Sequence, residues 1–282
     1  MAREGAALQA LAPGALLELG NEVLKVLIAP TAGGRIAQIT CEGVEWLCGH
    51  DDNAAAIAWG CYPMLPWAGR IRHGRFHFDG GAYQLPLNLG AHAIHGVGFA
   101  LPWQVETKSP TQVELLLQLP QDERWPFGGT ARQRIAIADR TLRMELSMTA
   151  GKLAMPRPVL GWHPWFRKPE RLEFAPTHCY PRDAAGIATL PLAEPHWGSA
   201  WDDCFINTKP VVLNRAGQAL QLTSDCDHWV VFDERAQATC VEPQSGPPDA
   251  FNLDPAQRLA PGEAAATWFE LEWQGLTRTL RE

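Results

Sequence analysis

Long apolar runs are missing from this chain. No window approaches the roughly 18 continuous apolar residues that a membrane-crossing helix needs, so none is expected. Basic charge is also short. Lys and Arg number 24 against 31 Asp and Glu, the net charge is -7 and the pI is about 5.7. Contacts to a phosphate backbone need clustered cations, so no nucleic-acid partner is expected. Residues Met1 to Gly20 are rich in Ala and Leu, but Glu4, Gln9, Pro13 and Glu18 interrupt them and only Arg3 is basic. That is a poor signal peptide. Seven cysteines occur without a C-x-x-C pair, in a chain of 282 residues that needs no disulfide staples. Free thiols and a cytoplasmic location are the expectation.

Several chemical signatures are absent too. There is no G-x-x-x-x-G-K-[ST] loop, no G-x-S-x-G elbow and no H-E-x-x-H pair. The common nucleotide-binding, serine-hydrolase and zinc-protease designs lack their defining residues. No long stretch has a 3.6-residue apolar period, no repeat of 20 to 50 residues is found, and no low-complexity linker divides the chain.

What the chain does contain is period-two alternation. Leu142, Met144, Leu146 and Met148 alternate with Arg143, Glu145, Ser147 and Thr149. Val113, Leu115, Leu117 and Leu119 alternate with Glu114, Leu116 and Gln118, and Thr267 to Trp273 repeats the pattern. Each run buries one face of an antiparallel sheet. Asp79-Gly80-Gly81 and Asn214-Arg215-Ala216-Gly217 fall between short apolar runs and predict hairpins. His73 and His77 read as two positions on one face of a strand. The Pro-rich stretch Met155 to Pro169 reads as a crossing between sheet regions. The expectation is one all-β domain over residues 1–282, a large sandwich of many short strands.

Twelve tryptophans against three tyrosines stand out. Tryptophan fills sheet cores and also stacks on sugar rings, so the count alone is ambiguous. Four segments carry polar groups in rigid or apolar settings. Cys61 to Ile71 holds Arg70 beside Trp67 in a backbone stiffened by two prolines, and a solvated loop arginine is the plain alternative. Asn88 to Gly96 holds His92 and His95. Their spacing permits a metal, but no third ligand is near in sequence, so none is expected. In Leu160 to Phe166, His163 lies among tryptophans and before a proline that keeps it extended. It could equally be a core histidine. Cys240 to Asn252 places Glu242 at the end of an apolar run, where a carboxylate can act as a general base or simply be solvated.

Taken together and in order, these segments resemble the aldose 1-epimerase (galactose mutarotase) family. The marks are P-x-x-P-W-A-G-R-I at Pro63 to Ile71, G-x-F-x-x-D-G at Gly74 to Gly80, and I-H-G at Ile94 to Gly96. G-W-H-P around His163, W-D-D-C-F at Trp201 to Phe205, and E-P-Q-x-G-P-P-D-A-F-N at Glu242 to Asn252 complete them. The resemblance implies a galactose-mutarotase-like β-supersandwich and a cofactor-free interconversion of sugar anomers. It implies Glu242 as general base and His163 as general acid. Arg70, His95 and Asp202 would bind the sugar, with Asp203 an ambiguous neighbour, and Trp67 and Gln244 are further candidates for contact. The partner would be a small sugar, with the protein a monomer or homodimer. Two other readings stay open. A hexose-6-phosphate mutarotase would need a basic rim, for which Arg72, Arg167 and Lys168 are available in sequence. A non-catalytic sugar-binding protein could share the same fold.

Overall fold

The alternating runs form strands, and the strands assemble into two large antiparallel sheets. The computed structural model describes residues 5–198 and 200–274. Thr141–Thr149 is a nine-residue strand whose residues alternate strictly between half-buried and buried. It pairs with Thr130–Ala138 on one side and Ala264–Gln274 on the other, at the centre of an eight-stranded back sheet. Both expected hairpins form. Arg75–Phe78 pairs with Gly81–Gln84, and Val211–Arg215 pairs with Gln218–Ser224. The second turn is Ala216-Gly217, with φ of 51° and 75°, the left-handed pair that a tight hairpin requires.

The ten-stranded front sheet carries the site. Its central order is Arg35–Cys41, Cys61–Met64, Gly161–Arg167, Ala238–Gln244, His228–Phe232 and Asp202–Ile206. The Pro-rich stretch is therefore not a mere crossing. Its second half is an interior strand with Pro164 inside it, a placement that costs a ladder hydrogen bond. His73 departs from expectation as well. It sits in a short 3-10 turn with φ of 51°, and only His77 is in a strand.

One apolar core fills the space between the sheets, with Trp46, Trp125, Trp162 and Trp273 almost wholly enclosed. Two buried glutamines of the back sheet join it to the front sheet. Gln133 accepts from Trp162 Nε1 at 2.9 Å and donates to Gly34 O at 2.7 Å. Gln218 accepts from Trp46 Nε1 at 3.1 Å and donates to Cys41 O at 3.1 Å. Seven free cysteines are all buried. No helix among the described residues is long and apolar enough to cross a membrane.

Arg35 is a fully buried cation with no carboxylate partner among the described residues. It donates to Ala32 O at 2.6 Å, Phe99 O at 2.7 Å and Trp59 O at 3.0 Å, and lies over the rings of Trp59 and Tyr62. Burial lowers its pKa to about 10, which still leaves it charged near neutrality. Arg35→Ala strands three buried carbonyls, so we expect a stability loss of about 3 kcal/mol or more. Urea unfolding followed by tryptophan fluorescence measures it, and a loss below about 1 kcal/mol would contradict this account of Arg35.

Candidate active site

Strand register brings the sequence's polar segments together. On a pleated sheet, residues two apart share a face, and neighbours across strands form rows. On the outer face of the front sheet one row runs through Tyr62, His163, Glu242, Val230 and Cys204. Tyr62 pairs with His163, Val230 with Glu242, and Cys204 with Val230. Gly161 pairs with Gln244 and Trp165 with Cys240, which sets His163 directly opposite Glu242. The ladder is open between those two pairs, where Pro164 and Pro243 lack N–H donors. The row on one side holds Trp165, Cys240, Phe232 and Asp202, and the row on the other holds Gly161, Gln244 and His228.

The opposed pair is in contact. His163 Nε2 lies 3.2 Å from Glu242 Oε1, with side chains 6% and 2% exposed. Burial pushes Glu242 well above the usual carboxylate range, and the negative charge of Asp202 adds to that. Burial pulls His163 below the usual imidazole range. The imidazole stacks on Tyr62 at 4.8 Å and on Trp165 at 5.3 Å. Those two walls are fixed by one carbonyl, since Tyr62 Oη and Trp165 Nε1 both donate to Ile57 O, at 3.0 and 2.8 Å. His163 Nδ1 and Gln244 Oε1 are buried with no hydrogen-bond partner among the described residues. Gln244 Nε2 is 3.4 Å from Glu242 Oε2.

Above the pair is a cavity of about 360 Å³ lined by His163, Glu242, Gln244, Arg70, His95, Trp165, Asp202 and others. Its size suits a small ligand. His95 is held well below the usual imidazole range by burial, then by His163 and Arg70, and is neutral. Gly69 N donates to His95 Nδ1 at 3.2 Å, so the ring's proton sits on Nε2 and makes that atom a donor. A side chain at Gly69 is impossible, because a Cβ there would lie 2.6 Å from Pro248 Cβ. Arg70 is half-buried in the cavity wall, and its guanidinium makes no hydrogen bond or ion pair among the described residues.

Both Asp202 and Asp203 line the cavity, and Asp202 shares parity with Cys204 on the outer face of the sheet. Arg182 holds both carboxylates, through Nη1 to Asp202 and Nε to Asp203 at 3.1 Å. Asp203 is further engaged by His196 at 2.9 Å. Asp202 is raised above the usual carboxylate range by burial, against the opposing pull of Arg182 and Arg70.

Trp67 is a correction. It is 3% exposed, belongs to the inter-sheet core and packs near Trp125, with ring centres 6.2 Å apart. Its indole has apolar neighbours on the inner side of the loop, so it cannot contact a ligand in the cavity. Trp165 is the tryptophan that lines it. The three basic residues that the sequence offers for a phosphate rim are paired elsewhere. Arg72 pairs with Asp183 at 2.5 Å, Arg167 with Glu45 and Asp52 at 3.1 Å, and Lys168 with Asp233 at 2.5 Å. None of the three lines the cavity, whose arginines are Arg70, Arg182 and Arg235.

As metal ligands, His92 and His95 are compromised. Each accepts a backbone N–H at Nδ1, His92 from His73 N at 3.1 Å. Among the described residues one cluster offers three ligand atoms, His163, Cys240 and Glu242, all within 4.8 Å of one another. Burial holds the Cys240 thiol well above the usual range, which opposes the thiolate that tight zinc binding requires. His163 Nε2 and Glu242 Oε1 already face each other at 3.2 Å.

Arg182 and Tyr180 line the cavity but carry no sequence signal. The only cue was weak: Tyr180 is one of three tyrosines, and both flank Pro181.

The profile of the aldose 1-epimerase family matches residues 15–272. The uncharacterized protein YihR of Escherichia coli K12 is 28% identical over 251 residues, covering 79% of this chain and 81% of that protein. A galactose mutarotase-like protein from Clostridium acetobutylicum superimposes with a TM-score of 0.81 at 16% identity, over 92% of this chain and 95% of that one. A GalM/aldose epimerase homologue from C. elegans gives 0.80 at 18% identity, over 93% and 99%. These two structures share the fold described above.

Proposed function

This chain belongs to the aldose 1-epimerase family, and we propose that it interconverts the α and β anomers of a free aldose, with Glu242 as general base and His163 as general acid. One observation carries the reading. A buried carboxylate and a buried imidazole meet at 3.2 Å in a cavity wall, and burial displaces their proton affinities in opposite directions.

Burial favours the neutral form of each group, so the pair retains one proton in total. Opening a pyranose takes one proton from O1 and gives one to O5. The reacting arrangement has the proton on His163 and none on Glu242. Glu242 removes the O1 proton as His163 delivers its own to O5, and the C1–O5 bond breaks. Afterwards Glu242 holds the proton and His163 holds none. The aldehyde turns about C1–C2, and the reverse transfers close the ring on its other face. Proton count and net charge are the same throughout, and no other reactant or cofactor enters the balance. Burial makes the charge-separated arrangement costly in the empty site, so the sugar and its neighbours must support it.

The neutral His95, donating from Nε2, suits a hydrogen bond to a sugar oxygen. Arg70 carries a fixed positive charge beside the position where O1 or O5 develops negative charge. Asp202, tethered by Arg182, and Gln244, with its free Oε1, accept or exchange hydrogen bonds with sugar hydroxyls. The reading is of a single-domain cytoplasmic enzyme, a monomer or homodimer, acting on a small sugar. Arg72, Arg167 and Lys168 are paired away from the cavity, which disfavours a 6-phosphate substrate, and a pure sugar binder has no use for a shared-proton pair.

Arg70→Ala tests the binding part. We expect the sugar complex to weaken by about 10- to 100-fold, the scale of a charge-assisted hydrogen bond. Calorimetric titration and anomer exchange by NMR measure affinity and rate together. Unchanged affinity would remove Arg70 from the site.

A further inference from the structure

We propose that a second cavity beside the first binds the second ring of a reducing disaccharide, so that the substrate is a sugar of at least two units with a free anomeric carbon. This rests on the mutarotase reading. The two cavities are of similar order, about 540 Å³ for the second and about 360 Å³ for the first. Tyr180 is common to both. The boundary follows the rows of the front sheet. Val230 lines the first cavity and His228, two residues away on the same face, lines the second. Two residues of strand span about 7 Å, comparable to the spacing of neighbouring rings in a glycan. The chain crosses the same boundary between Gln244 and Ser245 and between Ala188 and Leu190. The two cavities are adjacent compartments over one sheet, and Glu242 and His163 lie in only one of them.

The second compartment has the mixed lining that a pyranose needs. Tyr180 is 8% exposed, with its hydroxyl 3.1 Å from His228 Nε2. His228 Nδ1 lies 2.6 Å from Asp227 Oδ1. The carboxylate accepts a hydrogen bond from Nδ1–H, which leaves Nε2 to accept from the tyrosine. That chain fixes the Tyr180 ring as a rigid wall between the compartments, and aromatic walls suit the C–H face of a sugar ring. Phe251, a core residue 4% exposed, also borders this compartment. Arg157 and Gln257 stand on the rim, joined by a backbone bond from Arg157 N to Gln257 O at 3.0 Å. Their side chains are exposed and make no hydrogen bond among the described residues. They are free to meet hydroxyls. Leu190, an apolar side chain left 56% exposed on the same rim, gains cover from a ring seated below it.

The test compares anomer exchange by NMR for glucose, galactose, maltose, lactose, melibiose and gentiobiose, with wild type and Gln257→Trp. The tryptophan adds bulk at the rim of the second compartment, at an exposed position where the fold is not at risk. At least one disaccharide should exceed its own reducing-end monosaccharide in kcat/KM by about tenfold or more. Gln257→Trp should cut that ratio by a similar factor. Equal efficiencies, or a ratio unmoved by the tryptophan, would overturn the second-ring site while monosaccharide turnover left the mutarotase reading intact. No exchange with any of these sugars would overturn both.

Discussion

Glu242→Gln loses turnover and keeps the sugar. The amide has the shape of the carboxylate but cannot take the O1 proton, so kcat should fall by about 10²- to 10⁴-fold, the range of a general base. Affinity should stay within a few-fold, because Arg70, His95 and Asp202 keep their places in the cavity wall. The strand should also survive the change. Glu242 lies where the ladder to Gly161–Arg167 is already open, and its other neighbour Val230 pairs through the backbone. NMR exchange gives the rate and calorimetry the affinity. A variant that turned over as fast as wild type would mean that the base lies elsewhere, and one that no longer bound sugar would mean that Glu242 is structural.

His163→Asn should fall by a comparable factor, about 10²- to 10⁴-fold in kcat. Asparagine is polar and neutral and cannot deliver a proton to O5. The two losses should not add. The pair works by passing one proton between its members, so the double variant should be little worse than the worse single variant. Additive losses would show two independent groups. The pH dependence of the wild type follows from the same proton count. Activity needs one proton on the pair. Its loss at high pH is governed by the group that holds it more tightly, and burial together with Asp202 raises Glu242, so the alkaline limit lies above the usual carboxylate range. Gain of a second proton ends activity at low pH, and burial lowers His163, so the acid limit lies below the usual imidazole range. The profile of kcat/KM is a broad bell, and Glu242→Gln, which leaves His163 as the sole proton carrier, should erase its acid limb and move its alkaline limb below the usual imidazole range.

Much of the fold was legible because its signals are local. Thr141–Thr149 alternates without a break, and the turn at Ala216-Gly217 needs only its own two residues. The strand Gly161–Arg167 was not legible, because Pro164 and the run of aromatic residues hide its alternation. Its pairing partners, not its own propensity, hold it in the sheet. The candidate site was legible as a set of segments through family resemblance, but its geometry was not. Register decides that His163 stands opposite Glu242 and that Asp202 shares the face of Cys204, and register is a long-range property. Trp67 shows the reverse failure. It neighbours Arg70 in sequence and stands in a motif, yet the loop turns its indole into the core. Arg182 and Tyr180 came from a loop with no pattern at all.

The most direct test of the central claim is polarimetry of freshly dissolved α-D-galactose and α-D-glucose, with wild type and Glu242→Gln side by side. The account predicts that wild type hastens the change in rotation to the same final value for at least one of these sugars, while the variant follows the uncatalysed trace. Wild-type traces that superimpose on the uncatalysed ones for both sugars, or a variant as fast as wild type, would contradict it.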